Sequence, residues 1–222
     1  MSGRAADRKC ALALIPVSRE TAGLLDRFVT LLCTWQKTVN LVAPSALPEI
    51  WTRHIADSLQ LFPLAPDAKL WIDLGSGGGF PGIPLACLFA EVDGAHIHLV
   101  ESNQKKAAFL REAARTLCLP ASVHATRIED FSRTFAGSAD AVTARALAPL
   151  VKLLPCAYPL LKTGTTLLFP KGQDVEAELT EATKYWTVGA ERVPSKTGEG
   201  QILIVHSLAK KDGASASERD EP

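Results

Sequence analysis

A chain of 222 residues with 47% hydrophobic content is long enough to bury one sizeable core and too short for two comfortable domains. Its 24 basic and 24 acidic side chains cancel to zero formal charge, which excludes the strongly basic balance that by itself advertises nucleic-acid binding. Five scattered cysteines, Cys10, Cys33, Cys87, Cys118 and Cys156, make neither a disulfide framework nor a CxxC metal pair, and a reducing cytoplasm is the expected compartment.

The opening MSGRAADRKCALALIPVS carries a basic stretch and a short apolar run, but Pro16 interrupts the run and RETAG offers no small-x-small cleavage site. No signal peptide is expected there, and residues 1–17 are set apart as an N-terminal extension. No apolar segment approaches the length that crosses a bilayer, so the protein is expected to be soluble. From Ser18, a natural N-cap, Leu24, Leu25, Phe28, Leu31, Leu32 and Trp35 recur at helical spacing. A second helical pattern, PEIWTRHIADSLQLF, follows the break at NLVAPS, and residues 18–66 form a group of N-terminal helices.

From 67 to 208 the character changes to alternation. KLWIDL reads as a strand, GIPLACLFA as a helix, HIHLVE as a strand, and NQKKAAFLREAARTL as a helix with Phe109, Leu110, Ala113, Ala114 and Leu117 on one side. SVHAT and DAVTA are further strands, LAPLVKLLPCAYPLL a proline-punctuated helix, TTLLF a strand and VEAELTEATKY a helix. WTVGAERV and QILIVHSL, joined by PSKTGEG, form an antiparallel pair. Such alternation gives an α/β fold: a Rossmann-like parallel sheet covered on both faces, here ending in a hairpin. Residues 209–222 have the small, polar, charged composition of a disordered tail. Between Glu101 and Lys171 ten Lys or Arg face five Asp or Glu, a modest basic region that suits a solvated face or a binding one equally. With no internal repeat, heptad or unexplained apolar stripe, a monomer is expected.

The stretch WIDLGSGGGFPGIPLA puts four glycines into positions 75–79 directly after the first strand of the alternating region. In a doubly wound sheet that strand-to-helix turn lies at the switch point where ligands bind, and glycines there admit a ligand against bare backbone. A phosphate-binding GxxxxGKS or GxxxxGKT loop is excluded, because the glycines run into Phe80 and Pro81. A dinucleotide GxGxxG loop fails at its last position, where Phe80 stands in place of the glycine that lets helix and strand pack closest. S-adenosylmethionine, which carries no phosphate and has a positive sulfonium, welcomes an acid near the loop. Asp73 occupies that place, although a buried acid there serves equally to cap a loop amide. Glu101, at the end of HIHLVE, suits the two hydroxyls of a ribose, or opens the following helix as an acid favoured by its dipole.

With these residues in place the chain resembles the glucose-inhibited division protein B family, the bacterial 16S rRNA guanine-N7 methyltransferases. NLVAPS, WTRHIADSLQL, the GxGGGFPGIP segment, LVESNQKKAAFL, RIEDF, TARALAPL and FPKG carry the resemblance, in order, from about Val17 to Leu208. It implies a seven-stranded class I methyltransferase sheet with extra N-terminal helices over residues 18–208. It also implies S-adenosylmethionine as donor and a guanine in the 530 loop of 16S rRNA, within the small subunit or an assembly intermediate, as acceptor. Carried over by motif, Gly75, Gly77 and Phe80 would touch the cofactor, Ile128 and Glu129 would flank its adenine, and Arg145 would stand on the substrate side. Thr143-Ala144 stands where a serine often precedes that arginine. Arg53, His54 and Lys171 match family positions near the cofactor edge, and Lys105 and Lys106 suit phosphates; each is equally an ordinary surface charge.

Guanine N7 has an unprotonated lone pair, so the implied chemistry needs positioning rather than a general base, and no catalytic His or Cys is expected. Exocyclic-amine methylation usually goes with an Asn-Pro-Pro-Tyr type element after the fourth strand, which TARALAPL lacks. Pyrimidine C5 methylation needs a nucleophilic Cys; Cys156 falls inside an apolar helical pattern and reads as a buried structural thiol. His96 and His98 share a strand face, but with no third ligand in sight they are not read as a metal pair. A nicotinamide-dependent oxidoreductase and a non-catalytic assembly factor that binds both cofactor and RNA are the alternatives from other classes.

Overall fold

Successive residues of a strand point to opposite faces, and this chain uses that alternation to build two cores on one sheet. The computed structural model describes residues 3–211; from Asp212 onward the stretch read as a disordered tail lies outside them. The strands are β1 (Leu70–Leu74), β2 (His96–Val100), β3 (Ala121–His124), β4 (Ala141–Thr143), β5 (Thr166–Lys171), β6 (Trp186–Pro194) and β7 (Gln201–Lys210). They form one sheet in the order β3-β2-β1-β4-β5-β7-β6. Neighbours from β3 through to β5 run parallel, while β7 is antiparallel to both β5 and β6. The expected parallel sheet and terminal hairpin are both present, and β7 runs on to Lys210.

Trp71, Leu99, Leu168 and Ile204 face one core with helices α1 (Gly3–Leu14), α2 (Arg19–Trp35), α4 (Gly82–Phe89) and α5 (Gln104–Thr116). Their chain neighbours Ile72, Val100, Leu167 and Val205 face the other, with α6 (Ile128–Thr134), α7 (Leu150–Ala157) and α8 (Val175–Ala182). Burial on both faces explains why the central strands read as continuous apolar runs. The chain passes from β1 outward to β3, then returns to the other side of β1 for β4, so the crevice at the switch point opens at the carboxyl ends of β1 and β4.

The N-terminal segment is built from caps. Ser18 accepts from the Thr21 amide at 2.9 Å and starts α2 as its sequence suggests. The second helical pattern is broken into a 3-10 turn (Pro44–Glu49), a π turn (Trp51–Ala56) and the short α3 (Asp57–Leu59). The extension before Val17, for which no structure is expected from the sequence, forms α1, and Asp7 accepts from the Trp51 and Thr52 amides at 2.8 and 3.1 Å. Arg8 pairs with Asp26 at 2.7 Å and lies 5.2 Å from the Trp51 ring. Helix α6 is also absent from the sequence reading; its seven residues are too few to show a period.

His96 and His98 do share a face, and β3 adds a third imidazole: His98 Nδ1 and His124 Nε2 stand 3.0 Å apart. Among the described residues no group of His, Cys, Asp and Glu is arranged to hold a metal ion, and no helix is long and apolar enough to cross a membrane.

Asp7 satisfies two amides at the start of the π turn, so Asp7→Ala is expected to cost about 1–2 kcal/mol of unfolding free energy. Urea titration monitored by Trp fluorescence checks this; an unchanged midpoint would show that the Asp7 cap adds nothing to stability.

Candidate active site

The crevice begins with the glycine loop. The Gly75 and Ser76 amides both donate to the Val100 carbonyl at 2.9 Å, tying the loop to the end of β2. Gly75 has φ of +71°, and a Cβ there would sit 2.6 Å from a methyl of Leu147. At Gly78 a Cβ would sit 2.6 Å from the Leu41 carbonyl oxygen. Side chains are therefore excluded from both flanks by close neighbours, whereas beside Gly77 only the Gly75 carbonyl lies within 4 Å, at 3.7 Å. The bare floor faces open space.

Glu101 closes one end. Its Oε2 accepts from the Gly77 amide at 2.8 Å and its Oε1 from the Asn103 amide at 2.7 Å, so the carboxylate bridges the glycine loop and the end of β2. The cap of α5 is Asn103, whose Oδ1 accepts from the Lys105 and Lys106 amides; Glu101 is left to the crevice, which it lines. Asp73 differs from its expected place beside a ligand. It is wholly buried beneath the loop, where Oδ2 accepts from the Gly82 amide at 3.1 Å and Oδ1 has no partner among the described residues. The acid caps an amide and does not line the crevice; burial pushes its pKa up from 3.8 to about 7.

Phe80, placed where a dinucleotide loop has glycine, forms the hub of an aromatic and cationic stack. Its ring lies 4.8 Å from the His54 ring at 25°, 5.4 Å edge-on from Phe28, and 5.7 Å from the Arg145 guanidinium carbon. Arg145 follows β4 and reaches back to the N-terminal helices, donating to Asp57 Oδ2 at 2.9 Å and the Arg53 carbonyl at 3.0 Å, with Nη2 against His54 Nδ1. Burial first, then the Arg145 and Arg53 charges, push the His54 pKa down to about 3, so the imidazole is neutral and accepts from Arg145 through Nδ1.

Ile128 and Glu129, at the start of α6, line the same crevice as Gly75, Gly77, Phe80, Glu101 and Arg145; its volume is about 620 Å³. Seven of the eight residues expected to hold a cofactor thus meet at one site, and Asp73 is the exception. Leu41 and Leu147, which wall the glycine loop, lie within NLVAPS and TARALAPL but went unforeseen as site residues because an apolar loop side chain carries no chemistry of its own.

A second chamber of about 540 Å³ adjoins the first and shares Arg53, Arg145, Ala146 and Leu147 as a wall. Lys171 belongs here, yet its side chain is only 9% exposed, with Nζ on the Ala148 carbonyl at 2.9 Å and Glu178 at 2.8 Å. It braces the 146–149 turn and is not a free surface cation. Of the other residues suggested for RNA, Arg53 and Lys105 are exposed and Lys106 lines the crevice, while His54 is enclosed by Phe80 and Arg145. Cys156 is half-buried rather than buried; the enclosure together with Glu129 pushes its thiol pKa up to about 11, which leaves it protonated and unreactive at neutral pH.

The profile of a protein family described as rRNA small subunit methyltransferase G matches residues 22–203. The chain is 58% identical over 207 residues to the ribosomal RNA small subunit methyltransferase G of Bradyrhizobium sp. (strain BTAi1), covering 93% of each. It is 54% identical over 213 residues to that of Rhodopseudomonas palustris (strain BisB5), covering 96% of this chain and 91% of the relative. Among solved structures, an O-methyltransferase from Bacillus cereus in complex with SAH matches with a TM-score of 0.60 at 15% identity, over 90% of this chain and 96% of that one. An O-methyltransferase from Streptomyces achromogenes in complex with SAM matches with a TM-score of 0.59 at 14% identity, over 90% and 95%. At such identities these structures speak for the fold alone: the class I S-adenosylmethionine-dependent methyltransferase sheet.

The buried Asp73 generates a pH dependence whose sign follows from its raised pKa. Between 3.8 and about 7 the folded protein holds a proton that the unfolded chain has released, so this group's contribution to stability falls as pH climbs through that window. Asp73→Asn removes the titration while its amide oxygen still accepts from Gly82. Urea midpoints from about pH 4 to about pH 8 are expected to show the variant gaining on the parent up to about pH 7; a difference independent of pH would contradict it.

Proposed function

The chain belongs to the rRNA small subunit methyltransferase G family, and from that premise we propose that it moves a methyl group from S-adenosylmethionine to N7 of a guanine in the 530 loop of 16S rRNA. The family membership makes it an rRNA methyltransferase with S-adenosylmethionine as donor; the atom and the loop are what we infer. The residues of the crevice fit the donor. A floor free of side chains at Gly75 and Gly77 would admit its methionine end, Glu101 would offer carboxylate lone pairs to the ribose hydroxyls, and Ile128 and Glu129 would hold the adenine. When bound, S-adenosylmethionine supplies a methyl group activated by a sulfonium.

The observation that carries N7 is that neither the crevice imidazole nor the carboxylate beneath the glycine loop can serve as a base. His54, the imidazole lining the crevice, has a pKa near 3 and its Nδ1 is taken by Arg145. Asp73 is sealed below the loop. An exocyclic amine, which must shed a proton, finds no acceptor in these two groups, whereas the N7 lone pair attacks without losing one. The chain's task is then to orient the acceptor and tolerate the positive charge that arrives on the purine. Arg145 defines the wall past which the acceptor must come. Its own charge is offset by Asp57, which lowers its repulsion of a methylated, cationic base.

The exposed Arg53 and the half-buried Lys106 line the crevice, and with the exposed Lys105 next in the chain to Lys106 they suit phosphates of the RNA. A loop guanine, whose edge can be splayed out of its stack, suits an enclosed acceptor better than a paired one. The protein is expected to act as a cytoplasmic monomer on the small subunit or an assembly intermediate.

Incubating the purified chain with labelled S-adenosylmethionine and small subunits lacking this methylation, then mapping the label by N7-specific cleavage, tests the proposal; label elsewhere in the rRNA refutes it. Arg145→Ala is expected to lower kcat by about 100-fold while leaving a folded protein by circular dichroism. Gly75→Val, which strains a φ of +71° and drives a side chain into Leu147, is expected to abolish S-adenosylmethionine binding in calorimetry.

A further inference from the structure

The second chamber has a feature that neither the family match nor the cofactor reading requires. Two carboxylates line it, Asp57 and Glu178. Asp57 is saturated: Oδ2 accepts from Arg145, and Oδ1 accepts from the Thr197 hydroxyl at 2.7 Å and the Gln60 amide at 2.8 Å. Glu178 is not. Its Oε2 accepts from the Leu150 amide and from Lys171 Nζ, each at 2.8 Å, and among the described residues Oε1 has no partner. The carboxylate is therefore held firmly by one oxygen, and the other keeps its lone pairs on a side chain that lines the chamber.

Resting on the methyl-transfer reading above, we propose that Glu178 is the residue by which the acceptor base is read as guanine. Beside it the Lys171 ammonium uses two of its three N–H groups on the Ala148 carbonyl and Glu178 and keeps the third, so the wall carries an acceptor and a donor side by side. The Watson–Crick edge of guanine presents the complementary pattern: the O6 acceptor next to the N1–H and N2–H donors. Adenine reverses it, with N6–H as donor and N1 as acceptor, and meets Glu178 acceptor to acceptor. N7 lies on the adjoining edge of the purine, next to O6 and away from N1 and N2. A base held by its Watson–Crick edge at Glu178, which lines this chamber and not the crevice, thus turns N7 away from that carboxylate, the orientation needed for N7 to approach the shared wall at Arg145 and Leu147. Pro149 and Pro170 add flat apolar surface to the same chamber.

Glu178→Gln tests this because the amide oxygen keeps the Leu150 and Lys171 bonds and the amide NH2 takes the place of Oε1, setting donor against donor. The full-length parent and variant are compared on small subunits whose acceptor position carries guanine or hypoxanthine, which lacks the 2-amino group. The parent is expected to prefer guanine by about 10-fold or more in kcat/KM. The variant is expected to lose about 10- to 100-fold on guanine and to bring the two bases within about 3-fold of each other, with the S-adenosylmethionine Kd unchanged. A variant that is slower but keeps the parent's discrimination assigns Glu178 a bracing role only and overturns the proposal. So does a parent that methylates both bases equally, a result that needs no variant to fold. A parent that transfers no methyl group to guanine N7 overturns the functional reading itself, and this inference with it.

Discussion

The ion pair between Arg145 and Asp57 is the contact on which the geometry of the site depends. It joins the end of β4 to the N-terminal helical segment across 88 residues of sequence, with both side chains less than a fifth exposed. A pair so enclosed pays heavily in desolvation and is kept only where hydrogen bonds satisfy the remaining valences. The Arg53 carbonyl and His54 take two further N–H groups of the guanidinium, while Thr197 and Gln60 take Asp57 Oδ1. Gln60 in turn accepts from the Lys196 amide at 2.8 Å, so the β6–β7 loop is fastened to the same point. Breaking either partner would leave a buried charge and loosen three segments at once.

The same network explains why cations that look interchangeable in the sequence are not. Arg53, Arg145, Lys106 and Lys171 all fall near the two chambers, yet they divide by what they touch. Arg145 and Lys171 are paired with Asp57 and Glu178 and shape walls, whereas Arg53 retains an exposed head group. The turn between them is itself strained. Ala146 adopts φ of +50° without being glycine, a conformation that persists when its surroundings over-determine it. Those surroundings are Arg145 on one side and, on the other, the Ala148 carbonyl held by Lys171.

Much of this was legible in the amino-acid sequence because the sheet leaves a strong periodic trace. Every strand was visible as an apolar run or alternation, and the glycine loop with Glu101 announced the crevice. What escaped was of two kinds. Short or irregular helices were the first: α6 gives no period, the π turn at Trp51 lies inside a stretch that reads as one continuous helix, and α1 hid behind a basic stretch and Pro16. Polar residues with two plausible partners could not be assigned without coordinates: Asp73 proved to cap Gly82 and Lys171 to brace the 146–149 turn. A sequence names the groups, but which neighbour satisfies a lone pair is a property of the packed chain.

The place of β7 has a consequence for how the protein is made. It lies between β5 and β6 although it follows both in the chain, so during vectorial synthesis the nascent sheet stands with the β5 edge unpaired until residues 201–210 emerge. Leu167 and Phe169, both fully buried in the finished protein, flank that edge, which makes the interval one of exposure to wrong pairing. The β6–β7 loop, and with it Thr197 on Asp57, arrives in the same late step. The crevice at the glycine loop can therefore assemble before the second chamber does, since Ser195, Thr197 and the residues of β7 that line that chamber come last.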